Sequence, residues 1–134
     1  MTETTDRWEI QDLFTRLARV LDEGTPEDIG QVYTKDVLVR SPRAGELQGI
    51  DAVIEFLRGS AVEGELAQHF HSDILVSIDG DRAEVSANQL TFLYREGEAP
   101  HQQAGLRLKY AAVRTDEGWR FAEAKISRAW VQQG

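Results

Sequence analysis

The stretch LAQHFHSDILVSIDGDRAEVSANQLTFLYR, residues 66–95, contains the pattern that decides the fold. Two runs rich in apolar residues, Leu66 to Ile78 and Arg82 to Arg95, flank the tripeptide Asp79-Gly80-Asp81. An Asp-Gly turn between two such runs is typical of a β-hairpin. The sequence therefore predicts two long antiparallel strands here.

Two further strands are predicted after this hairpin. Residues 97–100 form a turn, Gln103 to Thr115 runs back, residues 116–118 turn again, and Trp119 to Val131 is the last strand. Alternation in the third of these four strands places its apolar residues on one face. These residues are Leu106, Leu108, Tyr110 and Ala112.

The first part of the chain has a helical pattern. Between about Asp6 and Leu21, apolar residues recur at three- and four-residue intervals, which predicts one amphipathic helix. Asp6 followed by Glu9 fits a capping box at its start. The apolar stripe consists of Trp8, Ile10, Leu13, Phe14, Leu17, Val20 and Leu21.

Two shorter helices complete the first half. The second helix begins at Thr25-Pro26 and ends near Tyr33, and residues 36–39 form a short strand broken by Ser41-Pro42-Arg43. The third runs from Ile50 to Arg58, and Gly59 ends it. Three helices followed by a four-strand antiparallel meander predict an α+β fold. We expect the curved sheet to wrap around the helices and leave a conical cavity.

Composition limits the possible functions. The chain has 134 residues, which suits a single domain over residues 1–134. A net charge of −8 disfavours nucleic acid and anionic membranes as partners. The chain contains no cysteine, so disulfides and thiolate chemistry are excluded, and a reducing cytoplasm is the simplest location.

Several short motifs, taken together, resemble the SnoaL-like branch of the nuclear transport factor two-like superfamily. They cover nearly the whole chain and lie at residues 20–24, 33–37, 47–53, 68–70, 78–83 and 118–121. The resemblance implies a cone-shaped α+β barrel of the cystatin-like type with an apolar pocket. It also implies a homodimer or homotrimer, and the superfamily includes many unrelated activities.

Within this superfamily, the positions of two polar residues favour one group of enzymes. Ketosteroid isomerases have an oxyanion tyrosine and a general base where this chain has Leu17 and Ser41, so that activity is disfavoured. Scytalone dehydratase and hexachlorocyclohexane dehydrochlorinase use an aspartate at the end of the first helix and a histidine on the strand after the third helix. Asp22 and His69 occupy these positions.

Other positions depart from these two enzymes. The second histidine and the asparagine of the dehydratase fall near Tyr94 and Leu108, and the arginine of the dehydrochlorinase has only Lys125 or Arg128 nearby. The resemblance therefore implies a retained proton-transfer pair without the substrate clamp of either enzyme.

The proposed pair has a clear chemistry. A neutral imidazole has a pKa near 6.5, which suits abstraction of a weakly acidic C–H proton. A carboxylate on its other nitrogen fixes the tautomer and stabilises the imidazolium. Alternatively, Asp22 caps the turn that follows its helix, and His69 is an ordinary half-buried strand residue.

Further polar residues are candidates for binding substrate in the pocket. His71 and Asp73 follow His69 at two-residue intervals and would share its side of an unbulged strand. We do not expect them to bind a metal, because no third ligand is evident. The remaining candidates are Asn88, Tyr94, Tyr110 and Trp130, the last of which closes the pocket or lies in a subunit interface.

Two main functions remain open. The first is a cofactor-independent lyase or isomerase for a small apolar, cyclic or polyketide-like substrate, with His69 as general base and Asp22 as its orienting partner. The second is a non-catalytic module that binds a small ligand or a partner chain in the same pocket. A weaker alternative is a polyketide cyclase that uses Asp73 as its acid.

Overall fold

The computed structural model describes residues 2–133, and helix α1 is the element against which the sheet packs. This helix spans Glu3–Glu23, and the Thr2 hydroxyl accepts a hydrogen bond from the Thr5 amide at 3.2 Å at its N-terminus. The apolar stripe predicted from the sequence faces the sheet, apart from Trp8, which is 74% exposed. Its buried members are Ile10, Leu13, Phe14, Leu17 and Val20.

The predicted capping box at Asp6 is wrong. The helix begins three residues earlier than expected, so Asp6 lies within it and its side chain is buried. Asp6 and Glu9 instead bind groups on the last two strands, as described below. Spacing alone could not separate these two roles, because a carboxylate in the first turn suits both.

Two shorter helices, one of them irregular, and a small hairpin follow α1. The segment Pro26–Gln31 is a 3-10 helix rather than an α-helix, and its Asp28 carboxylate accepts from the Thr25 amide at 2.9 Å. Strand β1, Tyr33–Ser41, is longer than expected and pairs with β2, Gly45–Gln48. Helix α2, Ile50–Gly59, matches the predicted third helix.

The predicted four-strand meander is confirmed and forms most of one sheet. Its strands are β3 (Leu66–Asp79), β4 (Arg82–Tyr94), β5 (Gln102–Thr115) and β6 (Gly118–Gln133). The hairpin of β1 and β2 extends it to six strands in the order β2-β1-β6-β5-β4-β3, with β1 parallel to β6. The sheet is therefore mixed rather than purely antiparallel, but the α+β class and the curved, unclosed sheet agree with the sequence.

Strand alternation gives the sheet one face toward α1 and one away from it. On β4 the odd-numbered residues face inward, and on β5 the even-numbered residues do. The inner face is closed over by the apolar stripe of α1. The largest fully buried side chains of the core include Trp119, Phe14, Phe121, Ile10, Leu17 and Leu108.

Within residues 2–133, no helix is both long and apolar enough to cross a membrane.

A partly buried ion pair attaches the start of α1 to the β5–β6 hairpin. The Arg114 guanidinium donates to both carboxylate oxygens of Asp6 at 3.0 and 2.9 Å, and the Trp119 indole N–H donates to the same carboxylate at 3.2 Å. These hydrogen bonds lower the pKa of Asp6 to about 2, and the largest effect is that of Arg114. Glu9 adds a further contact by accepting from the Trp119 amide at 2.6 Å.

Asp6→Asn tests this attachment. We expect its Tm at pH 7 to fall by roughly 5 °C or more, because the amide cannot pair with the Arg114 guanidinium. The pKa of Asp6 lies below its ordinary value of 3.8, so the wild type should lose this contribution as the pH falls from 3.8 to about 2. Thermal unfolding followed by circular dichroism should therefore show the two proteins converging near pH 2.

Asp12→Asn is the matched control for this experiment. Asp12 also pairs with an arginine, Arg16, at 2.8 Å, but on the exposed side of α1. Its loss should change stability by less than about 1 kcal/mol. Equal effects of the two substitutions would contradict the proposed importance of the Asp6 contact.

Candidate active site

Asp22 and His69 meet at the end of α1. Asp22 lies in the last turn of the helix, and His69 is on the inner face of β3. One carboxylate oxygen lies 2.6 Å from His69 Nδ1, and the other accepts from the His69 backbone amide at 3.0 Å. Both side chains are largely buried, with 17% and 13% exposed. Two hydrogen bonds to one carboxylate fix the position of the imidazole.

This geometry defines the protonation of the ring. A carboxylate can only accept, so Nδ1 of His69 carries the hydrogen and donates it to Asp22. In the neutral imidazole Nε2 is then the unprotonated nitrogen. Among residues 2–133, only Nδ1 of this ring is hydrogen-bonded to the protein. The arrangement leaves Nε2 available to take a proton from a bound molecule.

The pair lines a cavity of about 350 Å³ between α1 and β3. Phe14, Ala18 and Ile74 contribute apolar walls, while Arg19 and Glu23 lie at its exposed side. This mixed lining differs from the apolar pocket that the resemblance implied. The reason is that α1 turns its charged face toward solvent beside β3, so the cavity lies at the edge of the sheet.

His71 lines the same cavity and has a different partner. Its Nε2 donates to the Gln89 side-chain oxygen at 2.8 Å, and its ring centre lies 5.1 Å from that of Phe14. Burial lowers the pKa of His71, and the hydrogen bond with Gln89 opposes this effect.

Gln89 was missed in the sequence analysis, although a signal was present. It is only 7% exposed and continues the inward series Ala83, Val85 and Ala87 on β4. A glutamine at the next position of an apolar alternation indicates a buried polar group. Attention to this alternation would have identified it.

Three predicted pocket residues lie elsewhere. Asn88 and Tyr94 have even numbers on β4 and belong to its outer face, since this strand turns its odd-numbered residues inward. Asp73 lies in a bulge of β3 with φ of 55°, so it does not follow the side of His69 and His71. Its exposed carboxylate accepts hydrogen bonds from Ser72 and Asn88.

Two aromatic candidates also require correction. Tyr110 is 2% exposed and belongs to the core, where its ring centre lies 4.8 Å from that of Phe121. Burial raises the pKa of Tyr33 to about 12 and that of Tyr110 well above its ordinary value. Trp130 lies on the outer face beside Gly105, so it does not close the cavity.

Within the described residues, no group of three histidine or acidic side chains is arranged to bind a metal ion.

The fold is shared with many solved structures. The Kfla4162 protein from Kribbella flavida has a TM-score of 0.86 and 22% identity, with 98% of this chain and 95% of that chain covered. A protein from Novosphingobium aromaticivorans that is named as a scytalone dehydratase has a TM-score of 0.85 and 18% identity, with 98% of this chain and 89% of that chain covered. The hexachlorocyclohexane dehydrochlorinase LinA-type3 from Novosphingobium barchaimii has a TM-score of 0.83 and 12% identity, with 98% and 91% covered.

At these identities the structural likeness shows the fold alone, which is that of nuclear transport factor 2-like and cystatin-like proteins. No curated protein sequence matches the chain. The sequence family model of the SnoaL-like domain matches residues 2–125, which is most of the chain. The protein therefore belongs to the SnoaL-like domain family.

Proposed function

We propose that this protein is a cofactor-independent lyase or isomerase that removes a C–H proton from a small molecule. The proposal depends on one observation, the 2.6 Å contact of His69 Nδ1 with the Asp22 carboxylate inside a cavity. In this proposal His69 is the general base and Asp22 its positioning residue.

The proposed reaction begins with His69 Nε2 taking a proton from a carbon next to an electron-withdrawing group. The ring becomes an imidazolium, and the Asp22 carboxylate stabilises this charge without becoming protonated. In an elimination, the electron pair left on carbon forms a double bond to the adjacent carbon and expels the leaving group from it, and the imidazolium gives its proton to the leaving group or to water. In an isomerisation, the pair forms a new double bond while an existing one shifts, and the imidazolium returns the proton at another carbon.

The size and lining of the cavity restrict the substrate. About 350 Å³ lies at the small end of ligand pockets, which supports a compact molecule. Phe14, Ala18 and Ile74 would contact its apolar part, while His71 offers one polar contact near His69. The names of two similar proteins, a dehydratase and a dehydrochlorinase, denote eliminations and support the same class. The cysteine-free composition favours the cytoplasm as the proposed location.

A non-catalytic binding module is the second candidate, and a specific contact favours it. Asp22 also accepts from the His69 backbone amide at 3.0 Å, so the carboxylate has a structural use independent of any reaction. The polyketide cyclase alternative loses support, because its proposed acid, Asp73, is exposed in a bulge and paired with Asn88.

His69→Gln distinguishes an enzyme from a binding module. We expect wild-type protein to catalyse exchange of solvent deuterium into one or more members of a panel of cyclic and β-substituted ketones, measured by NMR. The substitution should lower this rate by about 10²–10⁴-fold, because the base is absent. Asp22→Asn should also lower it, since the amide would donate to Nδ1 and force the hydrogen onto Nε2.

His101→Gln is the matched control for these variants. His101 also contacts an acid, Glu65, at 2.9 Å, but outside the cavity lining. Its substitution should leave the exchange rate unchanged. Exchange that persists in His69→Gln, or that is absent from the wild type with every ketone, would refute the enzymatic proposal and leave the binding module.

We also propose that copies of the chain associate through the outer face of the sheet. Cross-strand pairing places Phe70, Leu90, Gly105 and Trp130 in one row, and the three large side chains are 53%, 41% and 46% exposed. The Trp130 indole lies over Gly105, where a side chain would collide with it. An exposed apolar row of this kind is typical of an interaction surface.

The residues around this row favour a second copy as the partner. The row on one side holds Gln68, Phe92, Gln103 and Gln132, none of them charged, and the row on the other side holds Ser72, Asn88, Arg107 and Ser127, of which only Arg107 is charged. Each copy has a net charge of −8, so a face without acidic residues in these rows is where two copies approach without burying negative charges. Glutamine side chains both donate and accept, which suits contact with an identical surface.

Trp130→Glu tests this face. We expect the mass measured by size-exclusion chromatography with light scattering to fall from that of a dimer or trimer to that of a monomer. Association should weaken by on the order of 100-fold, because a carboxylate would be buried at the contact. Trp8→Glu, the same change at a tryptophan on α1, should leave the mass unchanged. A wild type that is monomeric at all concentrations would exclude the proposed association.

A further inference from the structure

The buried side chain of Gln89 links His71, which lines the cavity, to Thr91 on its own strand. Its oxygen accepts from His71 Nε2 at 2.8 Å, and its amide nitrogen donates to the Thr91 hydroxyl at 3.0 Å. Strand pairing places Gln89 opposite His71 and Thr91 opposite His69. The amide therefore lies beside His71, and its second partner Thr91 lies opposite His69.

The two histidines differ in the group that binds them. His69 contacts a carboxylate, which stabilises the protonated ring, whereas His71 contacts an uncharged amide. A second imidazolium next to His69 would repel an incoming proton and weaken His69 as a base. An amide partner stabilises a second imidazolium less than a carboxylate would, because it accepts from one ring N–H of His71 without adding a negative charge.

We propose that Gln89 is a positioning residue that holds His71 as a neutral imidazole with its hydrogen on Nε2, so that His69 alone accepts the proton. The inference rests on the proposed function for its role in turnover. The protonation and tautomer of His71 are properties of the unliganded protein and can be measured without a substrate.

The groups that surround His71 agree with this assignment. On its own strand the neighbouring titratable group is His69, and on α1 the charged residues that line the cavity are Asp22, Arg19 and Glu23. Arg19 and Glu23 contact each other at 3.4 Å on the exposed side, and Asp22 is bound to His69. β4 presents only the uncharged Gln89 and Thr91, and β5 a buried, protonated Tyr110. Burial, the largest effect, and His69 lower the pKa of His71, whereas the hydrogen bond to Gln89, the Asp22 carboxylate and the Phe14 backbone raise it. The net result is a lowered pKa, which agrees with a neutral ring.

NMR of the imidazole nitrogens in ¹⁵N-labelled protein tests the proposal directly. His69→Gln and His101→Gln assign the three histidine signals. In the wild type we expect His71 as the Nε2–H tautomer, with a titration midpoint below the ordinary value of about 6.5. In Gln89→Glu the new carboxylate should raise this midpoint by at least one pH unit, a tenfold gain in proton affinity.

Two further variants separate positioning from folding. Gln89→Met keeps the shape but removes the acceptor, so the preference of His71 for the Nε2–H tautomer should disappear even if Gln89→Glu does not fold. Gln11→Glu places the same new charge on the exposed side of α1 and should leave the His71 midpoint unchanged. A His71 that titrates at the ordinary value, carries its hydrogen on Nδ1, or keeps its tautomer in Gln89→Met would overturn the proposal.

The exchange assay then connects the two proposals. If the wild type catalyses deuterium exchange, Gln89→Glu should reduce the exchange rate at pH 7 by about tenfold. The rate should recover at higher pH, where His71 loses its proton. An unchanged rate at pH 7 would refute the role in turnover. If the wild type shows no exchange, the enzymatic proposal fails, while the NMR result still decides the role of Gln89.

Discussion

The site depends on the two contacts of the Asp22 carboxylate with His69. Strand β3 is the edge of the sheet, so its outward backbone groups have no neighbouring strand. Helix α1 supplies partners for some of them: Asp22 accepts from the His69 amide, and Arg7 donates to the Val76 carbonyl. The same contact that covers the edge of the sheet also orients the His69 ring. Structure and proposed chemistry are therefore inseparable at this residue.

The opposite end of α1 is attached by a second set of buried polar contacts. Asp6 binds Arg114 and Trp119, so the helix is fixed to β5 and β6 at its start and to β3 at its end. Between these points the apolar stripe fills the inner face of the sheet. Two directional attachments set the rotation of the helix about its axis, which the non-directional hydrophobic contacts alone do not define. This rotation brings Asp22 to His69.

The family fold does not decide the function, because its site residues vary independently of the packing. Leu17 and Leu108 are buried core residues and Arg128 is exposed, and none of the three lines the cavity. What this chain offers instead is a pair of inner-face histidines with unlike partners, a carboxylate for one and an amide for the other. A carboxylate stabilises a protonated ring more than an amide does, and this difference in partner is the basis for proposing separate roles for the two rings.

The sequence by itself determined the helix order and the four long strands, because periodicity and turn residues are local properties. The expectation that Asp22 and His69 lie close together came from the resemblance of the motifs to a known family. Asn88 was chosen as a pocket residue in place of its neighbour Gln89, although the alternation of Ala83, Val85 and Ala87 indicated which face of β4 is apolar. A shift of one residue exchanges the two faces of a strand, and packing of the apolar face in the core turns Gln89 inward. The bulge at Asp73 and the parallel pairing of β1 with β6 were likewise decided by tertiary contacts between residues distant in the chain.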